Sequence, residues 1–564
     1  MSGFLPLNRE EAARRGWPEL DIVLVTGDAY VDHPAFGAAV IGRVLERQGY
    51  RIGIIAMPDW RNPQSIKTFG RPRLFFGVTS GNVDSMLARY TAFKKVRNDD
   101  PYAPGGGGGV KPERALIVYG NLIKAAYKDV PIVLGGIEAS MRRMAHYDFF
   151  SDSLRRTILE DTRADILAYG MAETAVIDIA ERLASGQGLD GIPGTVVMNR
   201  QAPSGALTLP AQEDVMASPE AFLEFSKLCF LNQDQVLAQP CGKRFLVQHP
   251  LSETTAALLE HTYTLPYCYA PHPAYTQSIP AYEMIKDSVT AHRGCVSGCS
   301  FCSVALHQGR RIVARSPDSV LTEIEHRAGM RKGAFTVTDI GGPSANMYGF
   351  DCKKAWHCRR ESCTSPQLCP HLAIKTSPWI DLLDQAARIK GVKRVTIGSG
   401  VRYDLIMRDG ESRAVLQGLS ERHISGQLKI APEHTVPAVL SAMRKTPVAE
   451  LKDFVGLFRD TAARSGRRLY LLPYLMSCHP GCTLADMQSM RSEVERIFGF
   501  IPRQVQAFIP LPMTLSSVIY YTGVDPLTQT SLSVERNMRK RQQQHQVFFI
   551  EKKHQHVGRK HASR

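Results

Sequence analysis

The run Arg293-Gly294-Cys295-Val296-Ser297-Gly298-Cys299-Ser300-Phe301-Cys302 constrains this chain more than any other stretch. Its three cysteines are spaced C-x3-C-x2-C. Thiolates are soft ligands and are what holds iron–sulfur clusters. A closed structural site wants four protein ligands, so three leave one metal corner open for a substrate or cofactor. Gly294 and Gly298 suit a loop folded tightly around a cluster. Phe301, just before the last cysteine, is placed to shield one side of it. The bland alternatives are three free thiols in a turn, or a partial zinc site completed by a distant ligand.

The rest of the chain must accommodate that loop. At 564 residues, 44% of them hydrophobic, it has room for two or three domains. No run of 18 apolar residues predicts a membrane span, and Met1-Ser2-Gly3-Phe4 does not open a secretory signal. Seven of the twelve cysteines gather at two places, which fits metal binding in a reducing cytoplasm better than a disulfide scaffold. The net charge is +15. From Arg536 to Arg564 there are nine Lys/Arg and one Glu, which reads as a solvated basic tail at 526–564. Such a tail can attract nucleic acid, but no RNA-binding aromatic motif accompanies it.

Residues 1–190 read as a doubly wound α/β domain. Apolar runs at 21–27, 51–56, 74–78, 131–136 and 165–170 alternate with helical stretches such as Ala38 to Gln48, stopped by Gly49. Nearly all-apolar strands of this kind belong in a parallel sheet covered on both faces, with ligands at the strands' carboxyl ends. That places Asp28, His33, Ser80 and Glu138 near a cleft. The glycine run 104–109 reads as a flexible loop. Residues 191–280 read as a bridge, with a helix starting at Ser218-Pro219. From 281 to 525 six strand signals, at 288–290, 335–340, 395–400, 426–430, 469–472 and 505–509, suit a partial TIM-like (β/α)6 barrel with functional groups at the strands' C-terminal ends.

The cysteine spacing, with an aromatic before the third cysteine, resembles the signature of the radical SAM superfamily. The resemblance implies a 4Fe–4S cluster on Cys295, Cys299 and Cys302, with S-adenosylmethionine on the fourth iron. The first domain resembles the cobalamin-binding domain that precedes many radical SAM barrels. However, Asp32-His33-Pro34-Ala35-Phe36-Gly37 fails the D-x-H-x-x-G spacing of histidine-ligating carriers, so cobalamin is not expected. The runs Ala291–Arg311, Asp339–Tyr348, Gly400–Asp404, Lys429–Thr435 and Tyr520–Gly523 look like the YgiQ-type (UPF0313) family. That family's reaction is unassigned, and the basic end departs from the ending it implies. By the superfamily's pattern, Gly341 and Gly342 let backbone oxygens approach the methionine amino group, although Pro343 stands where an acid is usual. Ser399, Arg402 and Glu433 become candidates for the ribose or carboxylate of S-adenosylmethionine.

A second cysteine group, Cys352, Cys358, Cys363 and Cys369, lies in an insertion at 350–372. Four thiolates can close a zinc site or ligate an auxiliary iron–sulfur cluster; the spacing leaves both open, with His357 and His371 as substitute ligands. Cys229, Cys241, Cys268, Cys478 and Cys482 read as buried thiols. The expected protein is thus a cytoplasmic enzyme. A flavodoxin- or ferredoxin-type partner donates one electron, and a 5′-deoxyadenosyl radical takes hydrogen from an unidentified substrate. An iron–sulfur electron carrier or redox sensor and an RNA-modifying enzyme of this superfamily are the alternatives. The catalytic residues proper and the substrate are not readable.

Overall fold

The computed structural model describes residues 3–354, 358 and 360–550. The five expected apolar runs form the parallel half of a nine-stranded sheet. Ile52–Ala56, Ile22–Thr26, Phe75–Thr79, Ile132–Leu134 and Ile166–Ala168 lie side by side in that order. Every residue of Ile22–Thr26 is buried. Val23 and Val25 enter one core while Ile22 and Leu24 enter another on the opposite face. That two-sided burial is why these strands are apolar throughout rather than alternating.

The sheet does not stop near residue 190. Thr195–Asn199 pairs antiparallel with Ile166–Ala168, and the hairpin Leu237–Cys241/Arg244–Gln248 extends it further, with Leu207–Thr208 at the edge. The stretch read as a bridge therefore builds four strands of the same sheet. The helix expected at Ser218-Pro219 is present as Pro219–Leu231, with the Ser218 hydroxyl accepting from the Ala221 amide. The glycine run is not a loose loop. Gly105 donates to the Ser278 carbonyl, Gly108 donates to that of Asn98, and a Cβ on Gly105 would stand 2.5 Å from the Gln277 side chain.

The second half is an open array of eight short parallel strand segments in three sheets. Ser288–Thr290 pairs with Asp339–Gly341, and Phe335–Val337 pairs with Val392–Val395. Gly400–Val401, Gln427–Glu433, Tyr470–Ser477 and Val505–Ala507 complete the array. Its core is continuous from Val289 to Phe548. One face of the nine-stranded sheet packs on this barrel, because Cys478, Phe508 and Tyr520 belong to the same apolar cluster as Val23 and Phe76.

The basic end is no free tail over its described part. Helix Met538–Gln546 lies on the barrel, and Arg541 is fully buried, donating to the carbonyls of Cys478 and Phe508. Gln544 donates to the Cys482 carbonyl. Residues 551–564 lie outside the described residues. No described helix is long and apolar enough to cross a membrane.

Burial also fixes the acid response. His33, His146 and His479 are buried, and desolvation pushes each pKa down to about 3. A depressed histidine contributes fully above the unfolded value near 6.5 and loses that contribution as pH falls toward 3, because only the unfolded chain then gains the proton. Between pH 7 and pH 5 each should cost about 2 kcal/mol of stability. Urea titrations at the two values should show the midpoint falling; an unchanged midpoint would contradict the buried, neutral assignment.

Candidate cluster site and the cavity beside it

The cysteine loop leaves strand pair His292–Arg293/Val313–Ala314 and is tied down on every side. Gly294 sits at φ +90°, and a Cβ there would lie 1.9 Å from the Arg311 carbonyl oxygen. Gly298 sits at φ +60°, and a Cβ there would lie 2.3 Å from the Glu361 carbonyl oxygen. Neither contact can be relieved by a side-chain rotation, so glycine is needed at both places. The Cys295 amide donates to Gly309, and Ser300 donates through its amide to Met443 and through its hydroxyl to Ala442. The Ser516 amide donates to the Ser300 carbonyl at 2.9 Å.

All three cysteines are free thiols, none wholly sealed from solvent. Burial pushes the Cys302 thiol up to about 12 and raises that of Cys299, while Lys445 and Arg402 pull Cys299 back toward the thiolate. The Val304 amide donates to the Cys302 sulfur at 3.5 Å. Among the described residues no three His, Cys, Asp or Glu side chains are gathered tightly enough to grip a single metal ion. Three thiols on one glycine-hinged loop, with Lys445 and Arg402 nearby, are ligands of the kind iron–sulfur centres use. Phe301 is half-buried and packs edge-on to His479 at 6.0 Å, joining the barrel core to the sheet core.

The remaining predicted residues divide. Arg402 is buried and committed to the chain: it forms an ion pair with Asp404 and donates to the Ser297 hydroxyl inside the cysteine loop. Ser399 donates to Asp339, which also accepts from the Gly398 amide at 2.9 Å. Glu433 ends its strand at φ +68°; burial raises its pKa, while Lys445 and Arg402 lower it. It shares the electrostatic neighbourhood of Cys299 and Cys302. The Gly341 carbonyl is engaged by the Ala291 amide, and a Cβ on Gly342 would meet the His292 oxygen at 2.5 Å. The structure thus gives this glycine pair a packing reason.

Gly341 and Gly342 also line a cavity of about 720 Å³. It runs from the carboxyl ends of the sheet strands, at Thr79, Gly135 and Gly170, to the barrel at Thr290 and Asp339 and the helix after the cysteine loop at His307. His307 reaches across it, its Nδ1 2.9 Å from the Ser140 hydroxyl. Asp28, His33, Ser80 and Glu138 are buried and do not line this cavity. Asp28 is paired with Lys111 at 2.6 Å, the His33 ring packs against Tyr269, and Ser80 bonds Val83. Glu138 is buried and accepts from the Ser85 amide.

Sequence reasoning missed Asp339, Lys445 and His292. Asp339 carried a readable signal, a carboxylate two residues before Gly341. His292 is fully buried, which only the fold reveals.

The second cysteine group stands behind the loop. The Cys363 amide donates to the Val296 carbonyl, and Ser362 and Thr364 donate to that of Ser297. Burial and the neighbouring thiols of Cys369 and Cys352 push the Cys363 thiol up to about 11. His371 enters through its backbone carbonyl, which accepts from the Lys353 amide; His357 lies outside the described residues. Cys229, Cys241, Cys478 and Cys482 are buried, and Cys268 is half-buried.

A family model described as "Radical SAM N-terminal" matches residues 4–288, and a domain of unknown function, DUF3362, matches residues 503–553. A UPF0313 protein of Geobacter sulfurreducens is 46% identical, over 96% of this chain and 91% of its own. One of Thermotoga petrophila is 41% identical over 98% and 99%. Among solved structures, the radical S-adenosylmethionine methyltransferase TsrM from Kitasatospora setae, with cobalamin and a 4Fe–4S cluster bound, superposes with a TM-score of 0.52. It is 14% identical and the match covers 88% of this chain and 77% of that one, a likeness of fold.

Proposed function

Because the chain belongs to the UPF0313 family and is a radical SAM enzyme, we propose that Cys295, Cys299 and Cys302 hold a 4Fe–4S cluster whose remaining corner takes S-adenosylmethionine. The observation that carries this reading is the loop itself: three free thiols hinged on two left-handed glycines and set against Arg402 and Lys445. When bound, the cluster supplies one electron that splits S-adenosylmethionine into methionine and a 5′-deoxyadenosyl radical able to take hydrogen from a substrate. A flavodoxin- or ferredoxin-type protein is the electron donor in this reading. The chain's residues do the rest. Arg402 and Lys445 offset thiolate charge, Phe301 and His479 close one side of the loop, and the cavity between sheet and barrel takes the substrate. Its volume lies within the range of small-molecule sites, and an electron carrier needs no such space. For the RNA-modifying alternative, Arg541 is withdrawn from any outward-facing basic surface, because it is buried against the barrel.

A second reading gives part of that cavity to cobalamin, as bound in the TsrM structure. What supports it is the cavity's place at the carboxyl ends of parallel strands. His33 packs against Tyr269 and does not line the cavity.

The test is anaerobic reconstitution followed by dithionite and S-adenosylmethionine, with 5′-deoxyadenosine quantified. Its formation is the expected result. A fully loaded protein that makes none, with or without cell extract as a substrate source, would sink the radical reading. Titrating the same sample with hydroxocobalamin decides the second: a saturable shift of the corrinoid spectrum supports it, and an unchanged spectrum removes it.

A further inference from the structure

Described residues of the insertion at 350–372 help to line a second, smaller cavity, shared with Tyr169, Leu251 and Leu306. The insertion's base is clasped by the antiparallel pair Asp351–Cys352/Leu372–Ala373, which brings its two ends together. Cys369 is held inside the clasp, its amide donating to the Cys363 carbonyl at 2.8 Å and its carbonyl accepting from Leu372. Cys352, Cys358, Cys363 and Cys369 all line this one cavity of about 170 Å³, together with Arg310 and Arg360.

Both guanidiniums are turned to backbone carbonyls. Arg310 donates to those of Arg360 and Cys358, and Arg360 donates to those of Ser362 and Gln367. Two cations are thereby fixed against a wall of four thiols. A four-thiolate centre is net negative whichever metal fills it, and these cations answer that charge.

The size of the space separates the occupants. Four sulfurs on one zinc, each about 2.3 Å from the ion, stand under about 4 Å apart and leave no gap among them. Here the cavity that the four thiols help to line has room for several waters, one of which needs only about 10–15 Å³. Such an arrangement suits a centre of several atoms. We propose that Cys352, Cys358, Cys363 and Cys369 ligate a second iron–sulfur cluster, separate from that of Cys295, Cys299 and Cys302. The exposed Cys358 is its loading side. The backbone bonds from Cys363 to Val296, and from Ser362 and Thr364 to Ser297, fasten it to the first loop.

The test uses the full chain, reconstituted anaerobically with ferrous iron and sulfide, in three forms: unaltered, Cys295→Ala/Cys299→Ala/Cys302→Ala, and Cys352→Ser/Cys363→Ser/Cys369→Ser. Iron, sulfide and zinc are counted per chain and the reduced clusters examined by electron paramagnetic resonance. The unaltered chain should bind about two to four irons beyond the four of the first cluster. The alanine form should keep the extra irons with matching sulfide, and the serine form should lose them. Retention in the alanine form is independent of whether S-adenosylmethionine is cleaved. Four irons with one zinc in the unaltered chain, or an alanine form that keeps a native circular-dichroism spectrum yet binds no iron, would overturn the proposal. Because the unaltered chain's count stands alone, misfolding of either variant leaves the result decisive.

Discussion

Alanine at Cys295, Cys299 or Cys302 is expected to lower 5′-deoxyadenosine formation by more than about a hundredfold, because even loss of a partner that only orients a metal ligand costs up to about that much. The three positions should be equivalent in this assay. Each supplies one sulfur from a loop held rigid by partners elsewhere: Gly309 for Cys295, and Met443, Ala442 and Ser516 for Ser300 between the other two. The scaffold therefore survives the loss of a thiol, and the variants should keep a native circular-dichroism spectrum while losing roughly four irons. Two controls bracket the effect. Cys229→Ala, a buried thiol in the sheet domain, should leave cleavage unchanged. Ser297→Ala, which removes the hydroxyl that accepts from Arg402, should fall between, at about tenfold. A Cys299→Ala protein that keeps its iron and its cleavage would end the assignment.

What the sequence made legible follows from the kind of constraint involved. The parallel strands were readable because both faces of Ile22–Thr26 and its neighbours are buried, so burial appears as an unbroken apolar run. The antiparallel extension was not. Leu237–Cys241 carries Gln239 and Pro240, and its identity as a strand comes from pairing with Arg244–Gln248 across the Gly242-Lys243 turn. The glycine run 104–109 is ordered by Ser278 and Gln277, some 170 residues away in sequence, and Arg541 is buried by carbonyls of Cys478 and Phe508. In the site, the three cysteines were legible because one loop carries them all. Arg402 directly follows strand Gly400–Val401 and Ser399 precedes it, yet their partners, Asp339 and Asp404 with Ser297, were visible only once the barrel brought them together. A polar residue at a strand end is readable from its position, but whether it faces ligand or protein depends on charges supplied by other strands.

Arg402 is where that distinction can be measured. Burial alone would disfavour its charge, but the Asp404 carboxylate beside it holds the guanidinium charged, and Asp404 is itself kept ionised by Arg402 against the same burial. Removing one member leaves the other charged and dry, so Arg402→Ala should destabilise the protein by about 3–5 kcal/mol. Replacing both, as Arg402→Met/Asp404→Leu, removes the stranded carboxylate and should recover most of that loss, because well-packed apolar residues can match a buried ion pair. The activity should not follow the stability. Ser297 would still lack its donor, and Cys299 would lack one of the two cations that draw it toward the thiolate. The double variant should therefore melt near the parent temperature yet keep iron poorly and form deoxyadenosine slowly. Recovery of cleavage together with stability would reduce Arg402 to a structural partner of Asp404. An unchanged melting temperature in Arg402→Ala would mean that the pair contributes nothing to the barrel. The expected split, stable but poorly loaded, would make Arg402 the residue through which the barrel strands position the cysteine loop.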